Sequence, residues 1–150
     1  VLDTNFRTNF STVQQGDMLF RYSIATHEGD WKEGRCRDFG WSIGNPLIGV
    51  CVDGERDGKL PSRMSFCQVD KANVFVLTLK QAEGGNGIII RLIETEGDAV
   101  TAAVTLPHLT IKKAYLTNLV EENKEELPFT EHKITAHIEA FGITTVRLCY

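Results

Sequence analysis

The stretch LTLKQAEGGNGIIIRLIETEG, residues 77–97, decides the fold. Residues 74–80 mix β-branched and aromatic side chains, and Ile88 to Glu96 alternates with a period of two, so both flanks read as strands. Between them lies the tetrad Gly84-Gly85-Asn86-Gly87, and Asn-Gly favours the positive φ angles that suit the twist of a tight hairpin. A phosphate-cradling loop would need a helix after the glycines, and Ile88-Ile89-Ile90 continues as a strand instead. Alternation puts Ile88, Ile90 and Leu92 on one face and Ile89, Arg91 and Ile93 on the other. A strand apolar on both faces is central or covered twice, so Arg91 is expected to need an internal carboxylate or a run of carbonyls.

The same signal spreads outward in both directions. Met18 to Thr26, Met64 to Val69, Ala99 to Leu106, Ile111 to Leu119, Lys133 to Glu139 and Ile143 to Leu148 read as strands. Asp53-Gly54, Asp57-Gly58, Gly97-Asp98, Pro107, Pro128 and Gly142 supply the turn chemistry between them. Short strands at this spacing predict an all-β fold, an antiparallel β-sandwich. Residues 27–49 do not alternate and read as an irregular segment with one or two helical turns, which Asp30 could cap. Glu121 to Glu126 reads as an acidic, solvated turn between two strands. A polar, glycine-bearing stretch at residues 53–63 marks a boundary. It separates residues 1–55, the end of a larger β-sandwich, from a small C-terminal sandwich over residues 61–150.

The chain has 150 residues, 42% of them hydrophobic, enough for one domain with its own core. Sixteen Lys plus Arg against 20 Asp plus Glu give a formal charge of −4, which argues against nucleic acid and anionic membrane as partners. No apolar run approaches the roughly 20 residues of a bilayer span, and no basic stretch leads into an apolar one at the start. The first residue is Val1, and the sequence opens directly into a patterned segment, so the chain is expected to be a piece of a longer protein.

Catalytic patterns are weak. Glu94 and Glu96 share one face of a strand and cannot flank a scissile glycosidic bond, so both are expected on the solvent face. Asp30 beside Trp31 is more suggestive of a sugar site, although tryptophans in irregular segments more often plug the edge of a core. His132 and His137 fall on opposite faces, His108 reads as a surface residue, and only His27, before Glu28-Gly29-Asp30-Trp31, has an unusual context. Cys36, Cys51, Cys67 and Cys149 lack the close pairing of a structural zinc site, and at least three are expected to be reduced and buried. No nucleophile elbow is present, and no cysteine has an adjacent histidine to activate it.

Residues 77–97 resemble the strand, hairpin and strand near the C-terminus of glycoside hydrolase family 38 α-mannosidases. LTNLVEENKEEL (116–127) and FGITTVRLCY (141–150) resemble the family's following acidic segment and final strand, and THEGDW (26–31) and NPL (45–47) fit upstream landmarks. The final strand departs from the common form, in which a Pro and an acid precede the last apolar residues. The resemblance implies a large retaining enzyme that removes α-linked mannose with a carboxylate nucleophile and a zinc ion. Both belong to an N-terminal catalytic barrel, on which the C-terminal β-domains pack and whose cleft they help to wall. No position here matches the catalytic or zinc motifs, so this piece is expected to be inactive alone, with no cofactor of its own. Its expected partners are the barrel of the same chain and a mannose-containing glycan at the parent's active site, and its expected location is cytoplasmic. His27, Asp30, Trp31 and Arg91 are the candidates for cleft or domain-interface residues. The alternatives are a freestanding carbohydrate-binding module, with Trp31 and Trp41 as a stacking platform, and a purely structural or interaction β-sandwich.

Overall fold

The structure is a computed structural model that describes residues 16–55 and 57–150. The patterned opening of the sequence at residues 1–15 lies outside the described residues. The chain divides into two units, Val1–Val52 and Asp53–Tyr150. Among the described residues, no helix is long and apolar enough to cross a membrane.

The second unit is an antiparallel β-sandwich. Its strands are β1 (Gln68–Val69), β2 (Val74–Gln81), β3 (Ile88–Glu94), β4 (Val100–Thr105), β5 (Lys113–Thr117), β6 (Asn123–Glu126), β7 (Phe129–Thr130), β8 (Lys133–Ile138) and β9 (Ile143–Cys149). They form a four-stranded sheet in the order β1-β4-β8-β7 and a five-stranded sheet in the order β2-β3-β9-β5-β6. The glycine tetrad joins β2 to β3 as the hairpin read from the sequence, with Gln81 opposite Ile88. Strand β3 is central, between β2 and β9, as its two apolar faces required.

The core lies between the sheets. Ile90, Leu92, Val146, Leu148 and Ala114 face Ala102, Val104, Ile134, Ala136 and Ile138 in one apolar cluster. Alternation dictates this set: Ala102 pairs with Ala136 and Val104 with Ile134, so equivalent faces of β4 and β8 point the same way.

Two strands escaped the sequence reading. Asn123–Glu126 forms β6, an edge strand exposed at every position, where a solvated turn was expected. Its four polar residues carry no apolar alternation, and its strand state rests on pairing with β5. The two-residue β7 has the same explanation, since it exists through its pairing with β8. Met64 to Val69 shrinks to Gln68–Val69.

In the first unit, Cys36–Gly44 forms helix α1, inside the segment read as partly helical. Met18 to Thr26, read as a strand, has extended but unpaired backbone, with Leu19 and Ile24 exposed. Its pattern is that of a strand, but no neighbour among the described residues supplies a ladder. All four cysteines are free, yet none is fully buried: Cys51 is exposed, and Cys36, Cys67 and Cys149 are half-buried. Cys67 precedes β1 and Cys149 ends β9, so both sit at strand ends rather than in the core. Burial is still enough to push the Cys67 thiol pKa up.

Candidate functional site

The outer face of the five-stranded sheet holds the most organised polar chemistry among the described residues. Because Ile90 and Leu92 point into the core, Ile89, Arg91 and Ile93 point outward. Pairing extends each into a row across the strands. The rows are Phe75–Ile93–Ile143, then Thr78–Arg91–Thr145–Thr117, then Lys80–Ile89–Arg147–Tyr115. Three cations, Lys80, Arg91 and Arg147, therefore stand on one sheet face.

The loop from Asn118 to Glu122, between β5 and β6, folds over that face. Arg91 donates from Nε to Thr145 Oγ1 (3.2 Å) and from NH2 to the Leu119 carbonyl (3.0 Å), so its partners are a hydroxyl and a carbonyl. Arg147 NH2 donates to the Glu121 carbonyl at 2.6 Å, while its buried Nε has no partner. The Glu121 carboxylate accepts from the Glu83 backbone N–H (2.8 Å) and pairs with Lys80 Nζ (2.7 Å), which also pairs with Glu83. Asn118 Oδ1 closes the loop by accepting from the Val120 and Glu122 N–H groups.

Glu121 is only 6% exposed, where a solvated acid was expected, and it adopts φ 67°. The hydrogen bond from Lys80, then that from Glu83 N–H, outweighs desolvation and lowers its pKa, while Glu121 and Glu83 raise that of Lys80. The loop explains why Ile89 is fully buried although it lies outside the inter-sheet core. It leaves the apolar row uncovered, and Leu119, Val120, Ile143, Thr117, Thr145, Asn118 and Lys124 line an open cleft of about 410 Å³.

Glu94 is the second correction: it is 1% exposed and not on the solvent face. It continues the inward series Ile88, Ile90, Leu92 to the end of the sandwich. Its carboxylate accepts from Asn73 Nδ2 (2.8 Å) and from the backbone N–H groups of Glu96 (2.7 Å), Gly97 (2.8 Å) and Phe141 (2.8 Å). Burial would raise its pKa, but these donors prevail and hold it at about 2. The Phe141 bond fastens the turn between β8 and β9, where the chain crosses from one sheet to the other. Both buried acids are thus ionised and fully engaged, which suits a structural role and leaves neither a proton to give nor a free lone pair facing a ligand.

The candidates from the sequence fall in both units. Asp30 Oδ1 accepts from the Lys32 and Glu33 N–H groups (2.8 and 2.9 Å), and Glu33 Oε2 accepts from Asp30 N–H (3.1 Å). This reciprocal cap, first the Glu33 bond and then the Lys32 bond, lowers the Asp30 pKa. The His27 ring packs against Gly34, where an added Cβ would meet Nδ1 at 2.3 Å. Trp31 is 45% exposed, with Lys32 Nζ 5.6 Å from its ring centroid, and Trp41 is also exposed, so neither plugs a core edge. His27 lines a cleft of about 320 Å³ with Cys36 and Phe39, and Asp30 and Trp31 are not part of its wall. Arg91 belongs to the clasp on the second unit. Among the described residues, no three His, Cys, Asp or Glu side chains gather as metal ligands, so these residues do not fit a zinc site.

Residues 73–146 match the family model described as "Glycosyl hydrolases family 38 C-terminal beta sandwich domain". The matched span begins one residue before β2 and ends inside β9. The chain is also similar to "Alpha-mannosidase G" of Dictyostelium discoideum, with 27% identity over 138 residues. That alignment covers 91% of this chain and 13% of the relative, so the chain spans a small part of its relative's length. No solved structure matches the chain significantly.

Proposed function

From a chain whose residues 73–146 are a C-terminal β-sandwich domain of glycosyl hydrolase family 38, we propose a non-catalytic accessory role within a zinc-dependent, retaining α-mannosidase. The observation that carries this reading is the coincidence of the family match with the two-sheet unit itself. In this reading the sandwich packs on the catalytic barrel of the same polypeptide and supports the cleft that receives a mannose-containing glycan. The nucleophile and the zinc ligands belong to that barrel. The saturated bonding of Glu94 and Glu121 supports the assignment, since a retaining glycosidase needs one carboxyl that can donate a proton and one that can attack.

Residues 1–55 belong, on the same reading, to the end of a larger β-sandwich of the parent. Leu19, Ile24, Leu47 and Ile48 are exposed in extended, unpaired backbone, and strand pairing in the larger chain would cover them. The test is hydrolysis of an aryl α-mannoside. The full-length polypeptide turns it over, and the 150-residue chain alone does not. Turnover by the short chain at enzyme-like rates, or none by the full-length polypeptide, contradicts the proposal.

A further inference from the structure

The loop clasp presents an apolar surface that it does not use itself. Phe75, Ile93 and Ile143 are register partners on three adjacent strands, so their side chains form one row on the outer sheet face. Leu119 and Val120, at the tip of the clasped loop, share the cleft wall with Ile143. Ile143 is 48% exposed and Val120 74% exposed, although the neighbouring polar rows lie under the loop. A loop tip with two apolar residues would be expected to collapse or fray, yet cations from two strands hold its carbonyls and a third holds its acid. The chain thus buries charged groups at a desolvation cost in order to hold apolar side chains outward in a fixed geometry.

From this arrangement we infer that Phe75, Ile93, Ile143, Leu119 and Val120 form the surface by which the sandwich docks on the catalytic domain of its own polypeptide. The inference rests on the accessory-domain reading and adds which face makes the contact. Size favours that occupant over a second copy of the chain. A stable dimer takes about 20–30 residues a side, far more than this row and loop tip provide. A covalently linked domain is held at an effective concentration in the millimolar range, so a smaller apolar contact suffices. Length favours it too, since the chain spans 13% of its relative and most of such a polypeptide is available to cover this face. The row is uncharged, with Lys124 alone at the cleft rim, which suits an apolar protein surface better than an acidic or a basic one.

Hydroxyl-radical footprinting of the full-length polypeptide, read by mass spectrometry, tests this directly. Leu119, Val120 and Ile143 should be modified about fivefold or more below the rate their exposure here implies, as for side chains in a packed interface core. A V120D/I143D double variant should restore that rate and raise modification on a surface of the catalytic domain, with Ile90 and Leu92 still protected as evidence of an intact sandwich. Full modification of the wild-type row overturns the inference. So does protection that disappears on dilution, which means self-association, or protection that appears only when a mannose oligosaccharide is added, which means a glycan site. These readouts do not depend on turnover, so a polypeptide inactive on mannosides yet protected at this face would sink the enzymatic reading alone.

Discussion

The ammonium of Lys80 and the carboxylate of Glu121 lie 2.7 Å apart, joining edge strand β2 to the β5–β6 loop across the intervening β3 and β9. The pair closes a lid over the outer sheet face, and the lid is what buries Ile89. Removing the acid leaves Lys80 and the Glu83 N–H without their anchor and frees the loop.

E121A is therefore expected to lower the midpoint of thermal unfolding and to speed hydrogen exchange at Glu83 and through Asn118–Glu122, with E121Q intermediate. Exchange rates in the loop equal to wild type would show that the clasp does not hold it.

Ile89→Ala should cost about as much as Ile90→Ala, on the order of 2–4 kcal/mol each, because both side chains are fully buried. Only Ile90 belongs to the inter-sheet core. Denaturant unfolding of the two variants checks this, and a cost for Ile89→Ala below about 1 kcal/mol would mean that the lid is open in solution.

Two glycines in the hairpin separate strain from collision. Gly85 has φ 69° and open space around an added Cβ, so Gly85→Ala should cost about 1–2 kcal/mol, the strain of a left-handed residue. At Gly87, φ is 98° and a Cβ would lie 2.1 Å from the Leu148 carbonyl oxygen on β9. Gly87→Ala must displace a neighbouring strand and should be clearly the more destabilising in the same measurement.

Acid sensitivity follows from Glu94. Its pKa is held at about 2, below an ordinary carboxyl value of 4.5, so the folded state binds the proton more weakly than the unfolded one. The stability it contributes is complete above about pH 4.5 and is lost as pH falls toward 2; Glu121 acts in the same direction. Glu94→Gln should flatten this part of the stability-against-pH curve. Glu94→Ala, which strands several buried donors, should cost on the order of 3 kcal/mol at neutral pH. An unchanged acid limb in Glu94→Gln would assign the acid sensitivity elsewhere.

The hairpin at residues 77–97 was legible because its information is local: turn glycines and two-residue alternation on either side. The central place of β3 followed from its two apolar faces. Strand β6 was hidden because NKEE carries no apolar pattern and owes its state to β5. Glu94 followed the inward series of Ile88, Ile90 and Leu92, and the Thr95-Glu96-Gly97 turn after it could have signalled a carboxylate folded back on backbone N–H groups. Its charge argued for solvent instead, and the donor from Phe141 is a long-range contact that no spacing reveals. Met18 to Thr26 shows the converse, a strand pattern with no ladder among the described residues. Arg91 was rightly expected to need carbonyl oxygen, but the loop that supplies it reads from sequence only as a polar turn.

The central claim is that this chain supplies structure and not reacting groups to an α-mannosidase. It is tested most directly by aryl α-mannoside turnover in the full-length polypeptide carrying Asp30→Asn, Glu94→Gln or Glu121→Gln, below the unfolding temperature of each. The account predicts a kcat within about threefold of wild type for all three, well short of the roughly 10²–10⁴-fold contribution of a general acid or base. A loss of kcat on that larger scale in any of them, with hydrogen exchange showing the sandwich intact, would contradict it.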